Sequence, residues 1–488
     1  MNEVGIDFGT TNSCAAAFIP GVAEPILIPA LRPIPSLVLY SGEEVLVGES
    51  ARAKWITDGD SAAQTGVASV KRLMWGRFLD VHLHTGDNLS VTDVAGRIFS
   101  ALQEQSKETL KKRIKSAVIA VPVGFLPGQR QLIRQAAELA GIQVKTFIHE
   151  PFAALLPLIG GKPDGHYFIY DWGGGTLDIT LVAKEGRLLR QVAVGSLNDL
   201  AGDDFDRMFS FNVAKEFFAK EGKHASTEAL SPAIRERLKI QCEAGKRELS
   251  ERDDTTLTIP LFWKGKPLLQ QVSRSKFEAW IAKDLERGVL ELLATFERSG
   301  IDASSLREVI LVGGSSKIPL LKRSIEAVMS CPVSLPSKAE FLIANGAAWA
   351  SRASSGMVLA SDIQLRIPSR SIPDPTSQLF PLFRRGDKVG YGGVRISREF
   401  YCTDWSRSEL RLVICFDGQT HRVLSWKLPE QLLRMAVRDV SYPQPANLHL
   451  KIGFEIDENL ALKVTPLVAG KSLEPSLIQD LRFAIQMN

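Results

Sequence analysis

Cysteine is scarce in this 488-residue chain, which has five cysteines and no C-x-x-C pair. A zinc site or a disulfide framework is therefore not expected, and the cysteine usage fits a reducing compartment. An excess of charge of either sign is also missing, because 59 Lys and Arg face 55 Asp and Glu. A formal net charge of +4 is too small to indicate a nucleic-acid partner, since nucleic-acid binders gather basic residues on one face.

Long hydrophobic runs are missing as well. The longest uncharged stretch, residues 8–23, is interrupted by Gly, Asn and Pro, and it is shorter than the ~20 apolar residues that a membrane-spanning helix needs. The first residues, MNEVGIDFG, show neither the basic nor the apolar region of a signal peptide. We therefore expect a soluble, cytoplasmic protein with no membrane partner.

Two kinds of pattern divide the chain. Up to about residue 352, apolar strand-like runs alternate with amphipathic helical stretches, which is typical of α/β lobes with largely parallel sheets. After residue 356, helical periodicity is scarce and alternating strand-like segments predominate. We predict an α/β domain over 1–356, a linker over 357–369 and a mostly β domain over 370–488.

Local signals also predict where several elements begin and end. Apolar periodicity predicts a helix from residue 92 to about residue 115, with Ser90 and Asp93 as a capping box. Gly141 and Gly300 are expected to end two further helices, because glycine readily adopts the left-handed conformation found after a helix.

Two segments share one design, DFGTTN beginning at Asp7 and DWGGGT beginning at Asp171. Each follows an apolar strand and places a carboxylate, then glycine, then a hydroxyl. Glycine lets backbone N–H groups close on phosphate oxygens, and the carboxylate can hold a hydrated Mg²⁺. Two such loops, one in each of two similar halves, would grip a triphosphate from both sides. The alternative is a pair of tight turns in which Asp is only a turn former.

A third glycine turn, GGSS at residues 313–316, also follows an apolar strand, so its backbone could pack on a nucleotide base. A Walker A motif is absent, because the tripeptide GKS at residues 470–472 has Thr465 where the first glycine belongs. The sequence therefore excludes a P-loop NTPase.

These loops belong to a longer series of motifs: VGIDFGTTNSC, VKRLMWGRF, VIAVP followed by GQRQ, HEPFAALL, DWGGGTLDI, AGDDFD, CEAGKRELS and ILVGGSSKIP. In this order, over roughly 1–352, they resemble the 70-kDa heat-shock chaperone family of the actin-like ATPase superfamily. The stretch LHLKIGFEIDENLALKVTP is similar to part of that family's peptide-binding β-subdomain. The resemblance implies an α/β fold, with an actin-like two-lobed ATPase domain of duplicated subdomains over 1–356, followed by a sandwich-like β domain.

The resemblance also implies a role for individual residues. Asp7 and Asp171 would hold Mg²⁺ through water. Lys71 would stabilise charge on the γ-phosphoryl group and help to place the attacking water, which Glu150 would orient. The implied catalytic residues are Asp7, Lys71, Glu150, Asp171 and Thr176.

A larger set is implied to bind ATP or ADP. The phosphate-binding residues would be Gly9, Thr10, Thr11, Asn12, Gly173, Gly174, Gly175 and Thr176. The remaining nucleotide-binding residues would be Gly202, Asp203, Glu243, Lys246, Arg247, Ser250, Gly313, Gly314, Ser315, Lys317 and Glu340. Glu340 stands where the family usually has Asp, a difference that is expected to affect the ribose side of the site.

Some positions depart from the family pattern. Thr146 replaces an arginine that normally pairs with an aspartate of J-domain co-chaperones, and His149 and Phe152 replace small polar residues nearby. Loss of a charge-assisted pair costs ~1.5–3 kcal/mol, so we expect ordinary J-domain proteins not to stimulate this chain. The sequence ends at Asn488, directly after the β domain. We therefore expect a divergent member without a helical lid, which would exchange peptide quickly.

Three functions follow as hypotheses. The leading one is an ATP-dependent chaperone-like protein in which slow Mg-ATP hydrolysis controls binding of a peptide, a client or one dedicated protein partner by the β domain. The second is a nucleotide-binding co-chaperone or exchange-factor-like partner with little hydrolysis. The third is a small-molecule kinase of the same superfamily, for which Asp178 would be the base.

Overall fold

The computed structural model describes residues 3–19, 26–28, 33–58, 65–74, 76, 80–83, 86, 88–352, 356–367, 378–389, 394–402, 409–428, 448–468 and 470–487. The chain forms two compact units. The first comprises residues 1–125 and 129–354, and the second comprises residues 126–128 and 355–488. The first unit mixes helices and sheets, and the described part of the second unit beyond residue 355 is built from strands. The expected α/β fold followed by a β-rich region is therefore confirmed.

The elements before residue 355 alternate between strands and helices. The strands are β1 (Val4–Asp7), β2 (Asn12–Ala17), β3 (Ile26–Ile28), β4 (Ile34–Pro35), β5 (Leu37–Ser41), β6 (Glu44–Val47), β7 (Gly66–Ala68), β8 (Asp80–His82), β9 (Asn88–Ser90), β10 (Ser116–Val121), β11 (Gln143–His149), β12 (Gly165–Trp172), β13 (Leu177–Glu185), β14 (Leu188–Leu197), β15 (Asp254–Trp263), β16 (Lys266–Ser273), β17 (Leu306–Val312) and β18 (Val333–Ser334). The helices are α1 (Glu49–Asp58), α2 (Val70–Leu73), α3 (Val91–Leu110), α4 (Pro127–Leu139), α5 (Glu150–Leu155), α6 (Gly202–Lys220), α7 (Pro232–Leu249), α8 (Arg274–Ser299), α9 (Pro319–Val328) and α10 (Leu342–Arg352).

Two sheets of the first unit repeat one topology. The strand orders are β3-β2-β1-β10-β11 and β14-β13-β12-β17-β18. In each sheet the first three strands form an antiparallel meander, and the next two pairings are parallel. The expectation of largely parallel sheets is therefore wrong, because periodicity within one strand does not encode the direction of its neighbour. The repetition agrees with duplicated subdomains, and it makes β1 and β12 equivalent strands that carry Asp7 and Asp171.

Close packing joins β1 to α10 and α10 to α5. A Cβ at Gly5 of β1 would overlap with the backbone of Ala344 and Ala348 on α10. A Cβ at Gly346 of α10 would overlap in the same way with the backbone of Ala153 on α5. Because only glycine permits such an approach, α10 holds β1 and α5 together. β1 carries Asp7 and α5 carries Glu150, and both residues belong to the site described below.

Most local signals are confirmed. Asp93 N–H donates to Ser90 Oγ at 3.0 Å, so Ser90 is the N-cap of α3. Gly300 follows α8 with φ 64°, and Gly141 lies just beyond α4 with φ 73°. The predicted extension of α3 to about residue 115 is wrong, because the helix ends at Leu110 and Lys111 adopts φ 52°. The Gln103 side chain holds the segment that follows, through hydrogen bonds of 2.7 and 2.9 Å with the Ile114 backbone.

The second unit contains only strands among its described regular elements beyond residue 355. They are β19 (Gly356–Leu359), β20 (Ile363–Ile367), β21 (Gln378–Phe383), β22 (Val394–Cys402), β23 (Glu409–Phe416), β24 (Gln419–Lys427), β25 (Leu448–Ile456), β26 (Leu462–Val468), β27 (Lys471–Ser472), β28 (Ser476–Ile478) and β29 (Phe483–Gln486). One antiparallel sheet has the order β21-β20-β23-β24, and another has the order β22-β25-β26-β27, with β28 also paired to β26.

The segment 357–369, which the sequence analysis treats as a linker, lies largely in strands where it is described. Val358 and Leu359 are buried in β19, which pairs with β29, and Ile363 and Leu365 are buried in β20. Across the described residues, the search for a helix long and apolar enough to span a bilayer finds none.

Candidate nucleotide-binding site

The two glycine loops meet face to face. A Cβ at Gly174 would overlap with Thr11 Oγ1, and one at Gly175 would lie 2.6 Å from Thr10 Cγ2. The side chains of Thr10 and Thr11 therefore lie close enough to these glycines to exclude a methyl group there. The structure thus brings together two loops whose first carboxylates, Asp7 and Asp171, are far apart in the chain.

A cavity of about 370 Å³, here called the nucleotide cavity, lies against both loops. Every residue predicted to be catalytic, metal-binding or nucleotide-binding lines it, with the exception of Gly202. Its lining also contains residues that the sequence analysis did not assign: Cys14, Pro33, Glu49, Asp206, Glu251, Val312, Ala339 and Ile343. One cavity therefore collects residues from nearly the whole length of the first unit.

Lys71 and Glu150 form an ion pair in the lining of this cavity. Their Nζ and Oε1 atoms lie 2.6 Å apart, and the residues are 6% and 7% exposed. Glu150 is the first residue of α5, where the helix dipole favours a carboxylate. Burial works to lower the pKa of Lys71, but the charges of Glu150 and Asp7 outweigh it and raise the pKa. The lysine is therefore held as a cation beside the loops.

Three carboxyl groups lie deep in the protein with part of each side chain open to the cavity. Burial raises the pKa of Asp7 to about 7, although Lys71 opposes the shift. Burial, with the charges of Glu150 and Asp178, raises the pKa of Asp171 well above its usual range. Burial and Glu150 raise the pKa of Asp178 to about 6, against the hydrogen bond from Thr176. A cation between these groups would favour their ionised forms.

The donor set fits a hydrated Mg²⁺. Among the described residues, no group of three or more His, Cys, Asp or Glu side chains is arranged to hold a metal directly. Mg²⁺ characteristically keeps several waters and takes only one or two protein carboxylates along with phosphate oxygens. Asp7 and Asp171, which line the cavity beside the phosphate loops, are of the right type and position for that role.

The beginning of α6 holds the second glycine loop in place. Gly202 N–H donates to Gly173 O at 3.1 Å, and Asp203 N–H donates to Gly174 O at 2.9 Å. Gly202 O in turn accepts a hydrogen bond from Lys246 Nζ at 2.9 Å. Gly202 therefore contributes to the site by supporting the loop and Lys246, and not by lining the cavity.

Among the lining residues that the sequence reasoning missed, Asp206 has the clearest role. Its carboxylate pairs with Lys246 Nζ at 2.8 Å, and both residues are largely buried. Burial raises the pKa of Asp206 to about 6, with Lys246 acting in the opposite direction. The available signal was the last acid of AGDDFD, one helical turn after Gly202. Asp206 orients Lys246 toward the cavity wall that the adenosine contacts were predicted to form.

The third glycine turn packs on the second loop. Ser315 Oγ donates to Gly173 O at 2.9 Å. Gly313 has φ 84°, and a Cβ there would lie 2.6 Å from Asp171 Oδ1, so this position requires glycine. Glu340, which replaces the family's usual aspartate, forms an ion pair with Lys317 at 2.9 Å on the same wall.

An ion pair joins two helices at the edge of the nucleotide cavity. Arg52 on α1 binds Glu243 on α7, and Glu243 lines the cavity. Arg237 on α7 supports this contact by donating from Nε to Ile56 O at 2.8 Å. An opening of the cavity that separates α1 from α7 must break these bonds.

We expect Arg52→Ala to accelerate ADP release about fivefold, because a partly exposed ion pair contributes ~1 kcal/mol. Stopped-flow displacement of a fluorescent ADP analogue measures the release rate. Arg207→Ala is the matched control, since Arg207 pairs with Asp204 on its own helix. An unchanged release rate in Arg52→Ala would show that the pair does not hold the cavity closed.

Two of the positions that depart from the family's J-domain contact, His149 and Phe152, are buried in the protein. His149 is buried and lies parallel to Phe152, with 6.0 Å between the ring centroids. Burial, together with the charge of Arg130, lowers the pKa of His149 to about 3. The histidine is therefore neutral at physiological pH, and the region carries less charge than an arginine at position 146 would provide.

In a comparison with protein-family models, residues 3–367 of the chain match the model described as Hsp70 protein. The matched span covers most of the 488 residues and includes every residue that lines the nucleotide cavity.

Proposed function

The chain belongs to the Hsp70 family, and on this premise we propose that it binds Mg-ATP in the nucleotide cavity and hydrolyses it slowly to control a client. Family membership supports an ATP-binding, chaperone-like function in general. The observation that carries the finer proposal is the convergence of two glycine loops, two carboxylates and the Lys71–Glu150 pair on one cavity of about 370 Å³.

The phosphates would lie between the two loops. Gly174, Thr10 and Thr11 line the cavity, and the N–H group of Gly174 and the two threonine hydroxyls would supply donors for phosphate oxygens. Thr11 Oγ1 is buried, and among the described residues it has no hydrogen-bond partner. A buried hydroxyl without a partner is unfavourable, so a phosphate oxygen at this position would satisfy it.

The adenosine would lie between α7 and the third glycine turn. Lys246 and Ser250 of the α7 region face the cavity together with Gly314 and Ser315. Asp206 and Gly202 O hold Lys246 from behind, which leaves its remaining hydrogen-bonding capacity for the ribose. The Lys317–Glu340 pair supplies a further polar wall on the same side.

Hydrolysis would depend on charge placed in advance around the γ-phosphoryl group. Lys71 stabilises the charge that develops there, and Glu150 keeps the lysine in place and orients the attacking water. Mg²⁺, when bound, supplies positive charge to the phosphate oxygens. Asp7 and Asp171 provide the carboxylates that would hold it through water.

The strands beyond residue 370 are proposed to bind an extended client peptide or one dedicated protein partner. Members of the family bind client polypeptides and co-chaperones. Thr146, which stands in place of the family's arginine, supports a partner other than an ordinary J-domain protein. The same difference favours the alternative of a nucleotide-dependent partner protein with little hydrolysis.

Single-turnover hydrolysis of Mg-ATP, with and without an extended apolar peptide, tests the proposal. We expect slow hydrolysis that the peptide accelerates several-fold, because client binding is proposed to be coupled to the nucleotide. A charged peptide of the same length is the control. Tight ATP binding without turnover, or turnover indifferent to both peptides, would contradict the coupled cycle and favour the nucleotide-dependent partner protein.

A further inference from the structure

A second cavity adjoins the nucleotide cavity within the first unit. Its volume is about 540 Å³, which is within the range of small-molecule sites. Both cavities are lined by the same central residues: Thr10, Lys71, Glu150, Asp171, Thr176 and Asp178. A molecule in the second cavity would therefore reach the groups that surround the γ-phosphoryl position.

We propose that this second cavity, here called the acceptor cavity, binds a small polyhydroxylated compound, and that the chain transfers the γ-phosphoryl group of ATP to one of its hydroxyls. The transfer rests on the proposed nucleotide site, because ATP bound there is the donor. It adds an activity to the hydrolysis proposed above, in which water takes the phosphoryl group instead.

The lining of the acceptor cavity explains the choice of ligand class. Among the described residues its charged groups are nearly balanced, with the basic Lys71, Arg72 and Arg298 against the acidic Glu150, Asp171, Asp178 and Glu291. Four of these charges already pair with one another, since Arg298 binds Glu291 at 2.8 Å and Lys71 binds Glu150. The balance disfavours a strongly charged ligand.

Neutral polar groups are spread over the same walls. They are the hydroxyls of Thr180 and Ser196 and the amide of Asn198, beside the apolar surfaces of Pro122 and Ile179. Separate donors and acceptors beside apolar patches suit a compound that presents several hydroxyls on a carbon skeleton. A peptide backbone would instead require a continuous row of donors and acceptors.

Asp178 is the group placed to take the proton of the acceptor hydroxyl. It lies on β13 next to Asp171 in the β12–β13 register, and it lines both cavities. Its Oδ2 accepts a hydrogen bond from Thr176 Oγ1 at 2.8 Å, which orients the carboxylate and leaves Oδ1 available. A positioned carboxylate of this kind contributes as a general base.

The transfer step balances without a further reactant. The acceptor oxygen forms a bond to the γ-phosphorus while the bond from that phosphorus to the ADP oxygen breaks. The hydroxyl proton passes to the carboxylate of Asp178 and then to solvent, so the products are ADP and a phosphate monoester. Lys71 stabilises the charge on the transferred group in this reaction as in hydrolysis.

The experiment incubates the full chain with Mg-ATP and glycerol, glucose or myo-inositol and resolves the products by ³¹P NMR. We expect a phosphate monoester whose share of the released phosphate rises with polyol concentration and saturates. Asp178→Asn should reduce ester formation by about 100-fold, since loss of a general base costs 10²–10⁴ in rate. Asn198→Ala should raise the polyol KM several-fold.

Glu326→Gln is the matched control for loss of a carboxylate, because Glu326 is exposed on α9 and outside both cavities. Ester formation by this variant should equal that of the wild type. ATP affinity is measured in parallel by calorimetry for every variant. This separates a failure of the acceptor cavity from a failure of the nucleotide site.

Three outcomes would overturn the acceptor inference, and they differ in what they imply for the proposed ATPase function. If ATP binds and is hydrolysed but all released phosphate is inorganic with each polyol, the acceptor inference is wrong and the proposed ATPase function stands. If Asp178→Asn forms ester at the wild-type rate, Asp178 is not the base and the inference is overturned as stated. If ATP does not bind at all, the proposed function fails and the transfer fails with it.

Discussion

Lys71→Met should lower the single-turnover rate of Mg-ATP hydrolysis by roughly 100- to 1000-fold, which is the usual effect of removing one group that stabilises transition-state charge. Lys71 is 6% exposed, and its charged form is favoured by Glu150 and Asp7. It is therefore a fixed cation at the junction of the two cavities, where the γ-phosphoryl group is proposed to lie. Rapid-quench measurement with radiolabelled ATP gives the rate.

The variant also leaves Glu150 buried without its cation, and breaking a buried pair costs ~3–5 kcal/mol of stability. Lys71→Met combined with Glu150→Gln removes both charges, so it should regain much of the stability while hydrolysis stays low. Thermal unfolding then separates loss of fold from loss of catalysis. Lys162→Met is the matched control, because Lys162 pairs with Glu308 at 2.6 Å away from both cavities. Hydrolysis by Lys71→Met within threefold of the wild-type rate would refute the role.

Gly174→Ala should weaken ATP binding by roughly 100-fold or more. The added Cβ would overlap with Thr11 Oγ1, so the two loops must separate and lose phosphate contacts on both sides. Charge-assisted hydrogen bonds contribute ~1.5–3 kcal/mol each, and the loss of two of them accounts for an effect of this size. Isothermal titration calorimetry with a non-hydrolysable ATP analogue measures the affinity.

Gly173→Ala, in the same loop, is the control for Gly174→Ala. A Cβ at Gly173 would have only Thr176 O nearby, at 3.8 Å, and Gly173 does not have positive φ. Gly173→Ala keeps the backbone N–H and should bind ATP within about threefold of the wild type. Equal affinities for the two alanine variants would show that the close approach of the loops is not what binds the nucleotide.

Interactions between residues that are close in the chain determine several features of this molecule. The carboxylate and glycines after each strand, the N-cap at Ser90 and the glycines at 141 and 300 act within a few residues, so they can be read from the sequence. The two glycine loops that begin at Asp7 and Asp171 can also be recognised from the sequence. The family motifs extended this knowledge to positions such as Lys71 and Glu150.

Contacts between distant residues could not be read in this way. The direction of β2 beside β1, the end of α3 at Leu110 and the pairing of Asp206 with Lys246 each depend on contacts that the pattern within a single strand or helix does not encode. The pKa of Asp7 is raised by burial, which exists only once the loops have closed over it.

The sequence by itself determined which residues can bind phosphate and where the chain can turn, because those properties belong to single residues and their neighbours. Only the tertiary structure decided that Thr11 meets Gly174, that Lys71 meets Glu150 and that a second cavity adjoins the first. The physical reason is that such contacts come from the packing of whole strands and helices, which the repeated sheet topology arranges around one centre.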